Sequence, residues 1–168
     1  MFSKQDIIAS IATDHALIKH LHSKLTPEHL EYRPSEHQRS IKELLEYISR
    51  MTITMGTMLK EKAYNPEIAK EFRLTSESQN MITDFDAAMD AQFEFITDFI
   101  NTATDEDMAT EVDLFGTGMA MPIVMYFMNI LFKNYSAYRM QLFHYMKDGL
   151  DMKHLNTANL RQGRDAQM

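Results

Sequence analysis

The chain has 168 residues, of which 45% are hydrophobic and 24% are charged. This length suits one domain with a single core, and the composition is that of a folded globular protein, not of a disordered or fibrous one. The net charge of −7 disfavours nucleic acid as a partner, because phosphate backbones attract basic surfaces. The absence of cysteine excludes disulfides, thiolate metal sites and a cysteine nucleophile, and it fits a reducing cytoplasm.

No segment of the sequence predicts export or membrane insertion. The N-terminal residues lack the apolar stretch of a secretory signal. The most apolar run, residues 119–132, is interrupted by Pro122 and Asn129 and is shorter than the roughly 18 residues that a membrane span needs. We therefore expect a cytoplasmic protein with no membrane partner.

Helical periodicity predicts two long helices in the first third of the chain. The first is expected from about residue 3 to residue 25, because apolar residues and two histidines recur there in steps of three and four. A linker with Pro27 and Pro34 follows, and proline cannot continue a helix. The second helix is expected to begin at Ser40, which forms a capping-box pattern with Glu43.

Two further helices are expected in the rest of the chain. A linker that contains Tyr64, Asn65 and Pro66 is expected after the second helix. A second capping-box pattern, at Ser76 and Gln79, then predicts a third helix that ends near Thr102. Pro122 is well placed for a first helical turn, so a fourth helix is expected from there to about Gly149, which would act as its C-terminal cap.

Four helices of this length predict an all-α fold, and a four-helix bundle is the simplest arrangement. The connections 26–39 and 101–118 are longer than is typical between antiparallel neighbours, so we expect crossover connections. The bundle domain would cover residues 1–150, and the polar residues 151–168 would form a frayed C-terminal tail.

Polar residues interrupt the apolar stripe of the fourth predicted helix. Asn134, Tyr138 and Gln141 occupy successive inward steps, and His15 and Tyr47 lie on or beside the inner stripes of the first two helices. Because a buried polar group needs a hydrogen-bond partner, two interpretations are open. These residues form either a satisfied internal network or a ligand-binding or catalytic pocket.

Two parts of the sequence resemble the DinB-like family of bacterial four-helix proteins. One is residues 25–34, LTPEHLEYRP, with its continuation 40–48, SIKELLEYI, and the other is residues 134–142, NYSAYRMQL. The resemblance implies a bundle with crossover connections, frequent homodimers and, in many members, a divalent metal ion held by three histidines. Some members of this family are thiol-dependent transferases or isomerases.

The chain departs from the family pattern at the metal ligands. By the resemblance, the three histidine positions correspond to Tyr47, Asn134 and Tyr138. A protonated phenol and an amide oxygen are poor ligands for zinc or nickel, so we expect no metal ion and no other cofactor. We expect these three residues to line a ligand-binding pocket instead, with His15 and Gln141 as neighbours.

Three hypotheses for function follow. The preferred one is a DinB-like protein with a degenerate, metal-free site that binds a small organic ligand or a protein partner. The alternatives are a thiol-dependent transferase or isomerase that works without metal, and a structural dimer module. A homodimer is expected because residues 119–132 are apolar almost all round, whereas a bundle helix normally leaves one side to water. Packing by the 101–118 loop is the alternative cover for this apolar surface.

Overall fold

Helices make up most of the protein in the computed structural model, which describes residues 3–165. In chain order they are α1 (Lys4–His22), α2 (Ile41–Glu61), α3 (Pro66–Glu77), α4 (Phe85–Thr102), α5 (Asp105–Ala109), α6 (Ile123–Tyr126), α7 (Phe132–His144) and α8 (Thr157–Gln162). Two π-helical turns, Phe127–Leu131 and Tyr145–Gly149, adjoin α7, so residues 123–149 form one continuous helix. A 3-10 turn lies at Pro27–His29, and two short antiparallel strands, β1 (Glu111–Val112) and β2 (Met121–Pro122), pair Val112 with Met121.

The four long helices enclose the hydrophobic core. Helix α1 packs against α4 and α7, and α2 packs against the same two helices. Fully buried side chains come from all four, among them Ile11, Ile48, Ile96 and Leu142. The predicted all-α fold is therefore confirmed. Within residues 3–165, no helix is long and apolar enough to cross a membrane.

The second helix begins where its capping box predicted. The Ser40 hydroxyl accepts a hydrogen bond from the Glu43 amide at 3.2 Å, and the Glu43 carboxylate accepts one from the Ser40 amide at 2.7 Å. Two of the free amide groups at the helix start are thus satisfied. The boundary fixes the position of α2, and α2 contributes the largest share of the side chains that line the candidate site.

The predicted start of the third helix at Ser76 is wrong. Ser76 lies in the last turn of α3, where its hydroxyl donates to the Arg73 carbonyl, and the next long helix begins only at Phe85. Helix α3 was interpreted as a linker from the sequence, although Asn65 caps its start and Pro66 occupies its first position. Both are ordinary signals of a helix start.

The predicted frayed tail is also wrong for its described part. Asn156 caps α8 by accepting a hydrogen bond from the Ala158 amide at 2.8 Å. Helix α8 packs on α1, and Leu155 and Leu160 are buried there. Two apolar side chains and a capping residue are sufficient to hold this short helix against the bundle. Residues 166–168 lie outside the described part of the chain.

Gly149 has a packing role instead of the predicted capping role. It lies inside the second π-helical turn, and the residue with left-handed backbone is Asp151, at φ 56°. A Cβ atom at Gly149 would overlap the ring and hydroxyl of Tyr32. Glycine at this position thus leaves room for the close approach of the Tyr32 side chain.

The loop between α5 and α6 covers much of the apolar surface at the start of the 123–149 helix. Val112 and Leu114 are buried, and the Tyr126 hydroxyl donates to the Val112 carbonyl at 2.5 Å while accepting from the Leu114 amide at 3.0 Å. The loop thus covers part of the apolar surface that the sequence predicts for residues 119–132. Met125 and Met140 on the same long helix remain 39% and 41% exposed.

Candidate functional site

The centre of the candidate site is a pair of tyrosines on facing helices. Tyr47 on α2 and Tyr138 on α7 are both half-buried, and their rings meet edge to face with centroids 5.0 Å apart. This geometry is the favourable arrangement for two aromatic rings. The structure thus brings together two of the residues that the sequence placed in one pocket.

Two arginines lie over the tyrosine pair. The guanidinium carbons of Arg39 and Arg50 are 4.5 Å and 5.2 Å from the centre of the Tyr47 ring, and that of Arg39 is also 6.0 Å from the Tyr138 ring. These distances are in the range of cation–π attraction. Arg50 follows Tyr47 by three residues on α2, so the two share a helix face, whereas Arg39 belongs to the loop before α2.

The electrostatic surroundings keep the Tyr47 phenol protonated. Burial raises its pKa above the ordinary value of 10.0, and the neighbouring Tyr138 phenol adds to the increase. The positive charges of Arg39 and Arg50 act in the opposite direction but are the smaller causes. Burial also lowers the pKa of Arg50, a group that stays charged at neutral pH.

An apolar cavity of about 230 Å³ opens beside Tyr47. Its walls come from α2, α3, the loop after β1 and the 123–149 helix, and they include Met51, Met55, Met58, Ala69, Leu114 and Asn134. Tyr64 and Phe115, which are 53% and 51% exposed, also line it. Asn134 lines the same cavity as Tyr47, whereas Tyr138, the third residue that the sequence analysis expects in this pocket, does not line it.

A polar cleft of about 300 Å³ adjoins the apolar cavity at Arg50, whose side chain lines both. The cleft lies between the loop before α2, the first half of α2 and the end of α3. Its charged lining consists of Arg33, Arg39, Arg50, Arg73, Glu36, Glu43, Glu46 and Glu77. This cleft could not be predicted from the sequence pattern, because one of its walls is the end of α3, and α3 was not predicted. A sequence signal for Arg50 was available, because it follows Tyr47 by three residues and therefore lies on the same face of α2.

The residues at the family's metal-ligand positions do not fit a metal ion. The phenol of Tyr47 holds its proton, and Asn134 offers only an amide. Two guanidinium groups next to Tyr47 would repel a divalent cation. Within residues 3–165, no three side chains of His, Cys, Asp or Glu are grouped so that they could hold a metal ion.

His15 lies in a different part of the core from the tyrosine pair. Its Nε2 atom is 2.6 Å from the Tyr135 hydroxyl, which also contacts the Thr52 hydroxyl. Burial lowers the pKa of His15 to about 4, so the ring is neutral at pH 7. His15, which the sequence analysis expects beside the pocket, does not line the cavity next to Tyr47 and belongs to a buried hydrogen-bond network with Tyr135 and Thr52.

The first π-helical turn explains why Tyr135, not Tyr138, meets His15. A π turn contains an extra residue, which rotates every later side chain around the helix axis. After this turn, the fully buried residues of the long helix are accordingly Tyr135, Leu142 and Met146. The stripe with Asn134, Tyr138 and Gln141 lies beside the core instead of in it, and Gln141 donates to the Tyr145 hydroxyl at 2.6 Å. Gln141 does not line the apolar cavity.

Comparison with known proteins supports the fold. No protein-family model matches the chain, and no curated protein sequence matches it. Its structure is similar to the crystal structure of a DinB-like protein, YjoA, from Bacillus subtilis, with a TM-score of 0.65 over 89% of this chain and 94% of that chain. The two sequences are 17% identical. The chain therefore has the DinB-like fold that the two sequence segments predicted.

Proposed function

We propose that this protein binds a small organic ligand with a largely apolar body in the cavity beside Tyr47, and that it does so without catalysing a reaction. The cavity of about 230 Å³ carries this proposal. Ligand pockets are concave and mostly apolar with a few polar groups, and those for drug-sized molecules start at about 300 Å³. The cavity would therefore take a small ligand.

The surroundings of the cavity support binding through flexible apolar contacts. Three methionines on one face of α2, Met51, Met55 and Met58, form a wall that can adapt its shape, because methionine side chains are unbranched and polarisable. Tyr64 and Phe115 line the cavity yet are about half exposed, so they mark its mouth. Exposed aromatic side chains at an opening are suited to contact a ligand that enters.

The chemistry of the polar side chains argues against catalysis. A general acid or base is most effective when its pKa lies near the working pH. The pKa of Tyr47 is instead raised above 10.0 by burial, and the only ionisable groups that line the apolar cavity within residues 3–165 are Tyr47, Arg50 and Tyr64. A metal-free transferase would need a group that exchanges protons near neutral pH.

Binding of N-phenylnaphthylamine, a neutral dye that fluoresces in apolar surroundings, tests this proposal. We expect saturable binding of one dye per chain. The variant Ala69→Phe, which places a ring into the cavity, should abolish it. The matched control is Ala87→Phe, on the exposed face of α4, which should bind like the wild type.

Circular dichroism establishes that each variant is folded, and Thr54→Phe provides a second block of the same cavity. Loss of dye binding in both cavity variants with retention in Ala87→Phe supports the proposal. Unchanged binding in the folded cavity variants, or no saturable binding by the wild type, overturns it.

A further inference from the structure

We infer that the ligand is an amphipathic anion whose acidic head group is held by Arg39 and Arg50 and whose apolar body occupies the cavity beside Tyr47. This inference rests on the proposed function and names the chemical class of the ligand. The head group would be a carboxylate or a phosphate, because both accept the paired hydrogen bonds that a guanidinium donates.

Three of the four carboxylates of the polar cleft already have cationic partners. Glu43 is 2.9 Å from Arg33, and Glu77 is 3.0 Å from Arg73. Glu46 lies 3.5 Å from the Lys42 amine. The fourth carboxylate, that of Glu36, is largely exposed and lies 3.3 Å from the exposed His37 ring.

Arg39 and Arg50 are the arginines of the cleft without such a partner. Within residues 3–165, neither guanidinium lies within 4.0 Å of a carboxylate oxygen, and neither donates a hydrogen bond to a protein acceptor. Their contacts are with the faces of aromatic rings, at 4.5 Å and 5.2 Å from the centre of Tyr47. Those contacts leave the N–H groups in the guanidinium planes free to bind an anion.

The partial burial of Arg50 without a hydrogen-bond partner is destabilising. The side chain is half-buried, and its Nε atom is fully buried with no protein hydrogen-bond partner. A buried donor without an acceptor is destabilising, and native structures contain few of them. An anion bound at the terminal amino groups of Arg50 would offset part of this cost, because a partly buried charge is destabilising when it has no ionic partner.

The position of Arg50 sets the orientation of the ligand. Its side chain lines the polar cleft together with Arg39, and it lines the apolar cavity together with Tyr47 and Met51. A head group at the two guanidiniums would therefore have the methionine wall directly beside it. A simple inorganic anion would use only the cleft, and an uncharged hydrocarbon only the cavity. An anion with an apolar chain fits both.

Displacement of N-phenylnaphthylamine by compounds with the same eight-carbon chain tests the head group. The compounds are octanoate, octyl phosphate, octanol and octylamine, each below its micelle-forming concentration. We expect octanoate or octyl phosphate to displace the dye at concentrations about tenfold or more below that of octanol, since a charged hydrogen bond contributes on this scale. Octylamine should be the weakest. The order of octanoate and octyl phosphate identifies the preferred head group.

Substitutions then assign the preference to the two arginines. Arg39→Gln and Arg50→Gln should each lower the affinity for the preferred anion by about tenfold and leave the affinity for octanol unchanged. Arg73→Gln is the matched control, because Arg73 lines the same cleft but is paired with Glu77, and it should keep the preference. Arg50→Lys retains the charge but not the paired hydrogen bonds, and it should give an intermediate affinity.

Two outcomes overturn the inference and are distinguishable from failure of the proposed function. Equal displacement by octanol and by both anions, or an anion preference that persists in Arg39→Gln and Arg50→Gln, shows that the cavity binds apolar chains without using the arginines. In that case the proposed function stands and the head-group assignment fails. If the dye binds but no octyl compound displaces it, the head-group assignment fails as well, whereas absence of saturable dye binding overturns the proposed function itself.

Discussion

The rings of Tyr47 and Tyr138 meet edge to face, with centroids 5.0 Å apart, at the positions where the family resemblance places metal-binding histidines. The contact closes the space between α2 and α7, and the guanidinium of Arg39 lies near both rings. The positions that the resemblance assigns to metal ligands thus have two guanidinium groups beside them in this chain. The same charge favours an anionic ligand.

Restoring the three histidines should create only a weak metal site. In the variant Tyr47→His, Asn134→His, Tyr138→His, two imidazoles on α7 are four residues apart on one face and the third comes from α2, which is a suitable donor set for zinc. The nearby guanidiniums should oppose the ion. Adding Arg39→Gln and Arg50→Gln is therefore expected to tighten zinc binding by roughly tenfold or more.

Zinc-dependent thermal stabilisation measures both affinities, because an ion that binds only the folded state raises its melting temperature. The control adds Arg73→Gln to the triple-histidine variant, which should change little. Equal zinc affinity with and without Arg39 and Arg50 would contradict the electrostatic argument. In the wild type we expect no stoichiometric transition metal by mass spectrometry.

Acid should destabilise the protein partly through His15. Its pKa is about 4 in the folded state, lowered from 6.5 by burial, so the unfolded chain takes up the proton first as the pH falls. The stabilising contribution of neutral His15 is therefore complete above pH 6.5 and is lost as the pH falls toward 4. At pH 4.5 this loss is about 2–3 kcal/mol.

Urea unfolding of wild type and His15→Gln at pH 7 and pH 4.5 measures this contribution. The variant should be less stable at pH 7, because it loses the contact with Tyr135, but its stability should decrease less on acidification. His154→Gln, at an exposed position, is the control and should follow the wild type. An equal loss of unfolding free energy in wild type and His15→Gln between pH 7 and pH 4.5 would show that protonation of His15 does not contribute to the acid destabilisation.

Gly149→Ala should destabilise the protein because of Tyr32. The added Cβ would overlap the tyrosine ring, and overpacking of this kind typically costs about 1–3 kcal/mol. In a Tyr32→Ala background the same glycine substitution should have little effect, because the clash is removed. A double-mutant cycle of unfolding free energies measures the coupling. Additive effects of the two substitutions would mean that backbone strain, not the ring, explains the glycine.

The capping and periodicity signals predicted most of the helices but not the precise rotation of the last one. Ser40 and Glu43 marked the start of α2 correctly, because a capping box is a local interaction between residues three apart. The orientation of Tyr135 depended on a π-helical turn, and the sequence contains no clear local signal for that extra residue. A prediction that assumes a constant helical period therefore assigns Tyr138 and Gln141 to the core and does not assign Tyr135 to it, although Tyr135 is fully buried.

The candidate site was predictable only where it lies on regular helices. Tyr47 and Tyr138 could be placed together from helix spacing and the family resemblance. Arg50 could have been added from its three-residue spacing to Tyr47 on α2. Arg39 could not, because it belongs to a loop whose path over Tyr47 depends on tertiary packing. The polar cleft also required α3, which was interpreted as a linker.

We expect the protein to form a homodimer through the 123–149 helix. The loop with Val112 and Leu114 covers part of the apolar surface, yet Met125 and Met140 remain 39% and 41% exposed on the long helix. Large exposed apolar side chains on a helix that is apolar on most sides are typical of an interface. Sedimentation equilibrium at tens of micromolar should therefore give twice the mass of the chain.

The double substitution Met125→Glu, Met140→Glu should convert the dimer to a monomer, because two charges would be buried without partners in the interface. Leu74→Glu is the matched control: Leu74 is 52% exposed on α3, and its substitution should leave the dimer intact. A monomeric wild-type protein at these concentrations would contradict the prediction. A dimer that withstands the methionine substitutions but not Leu74→Glu would place the interface on α3 instead, close to the polar cleft.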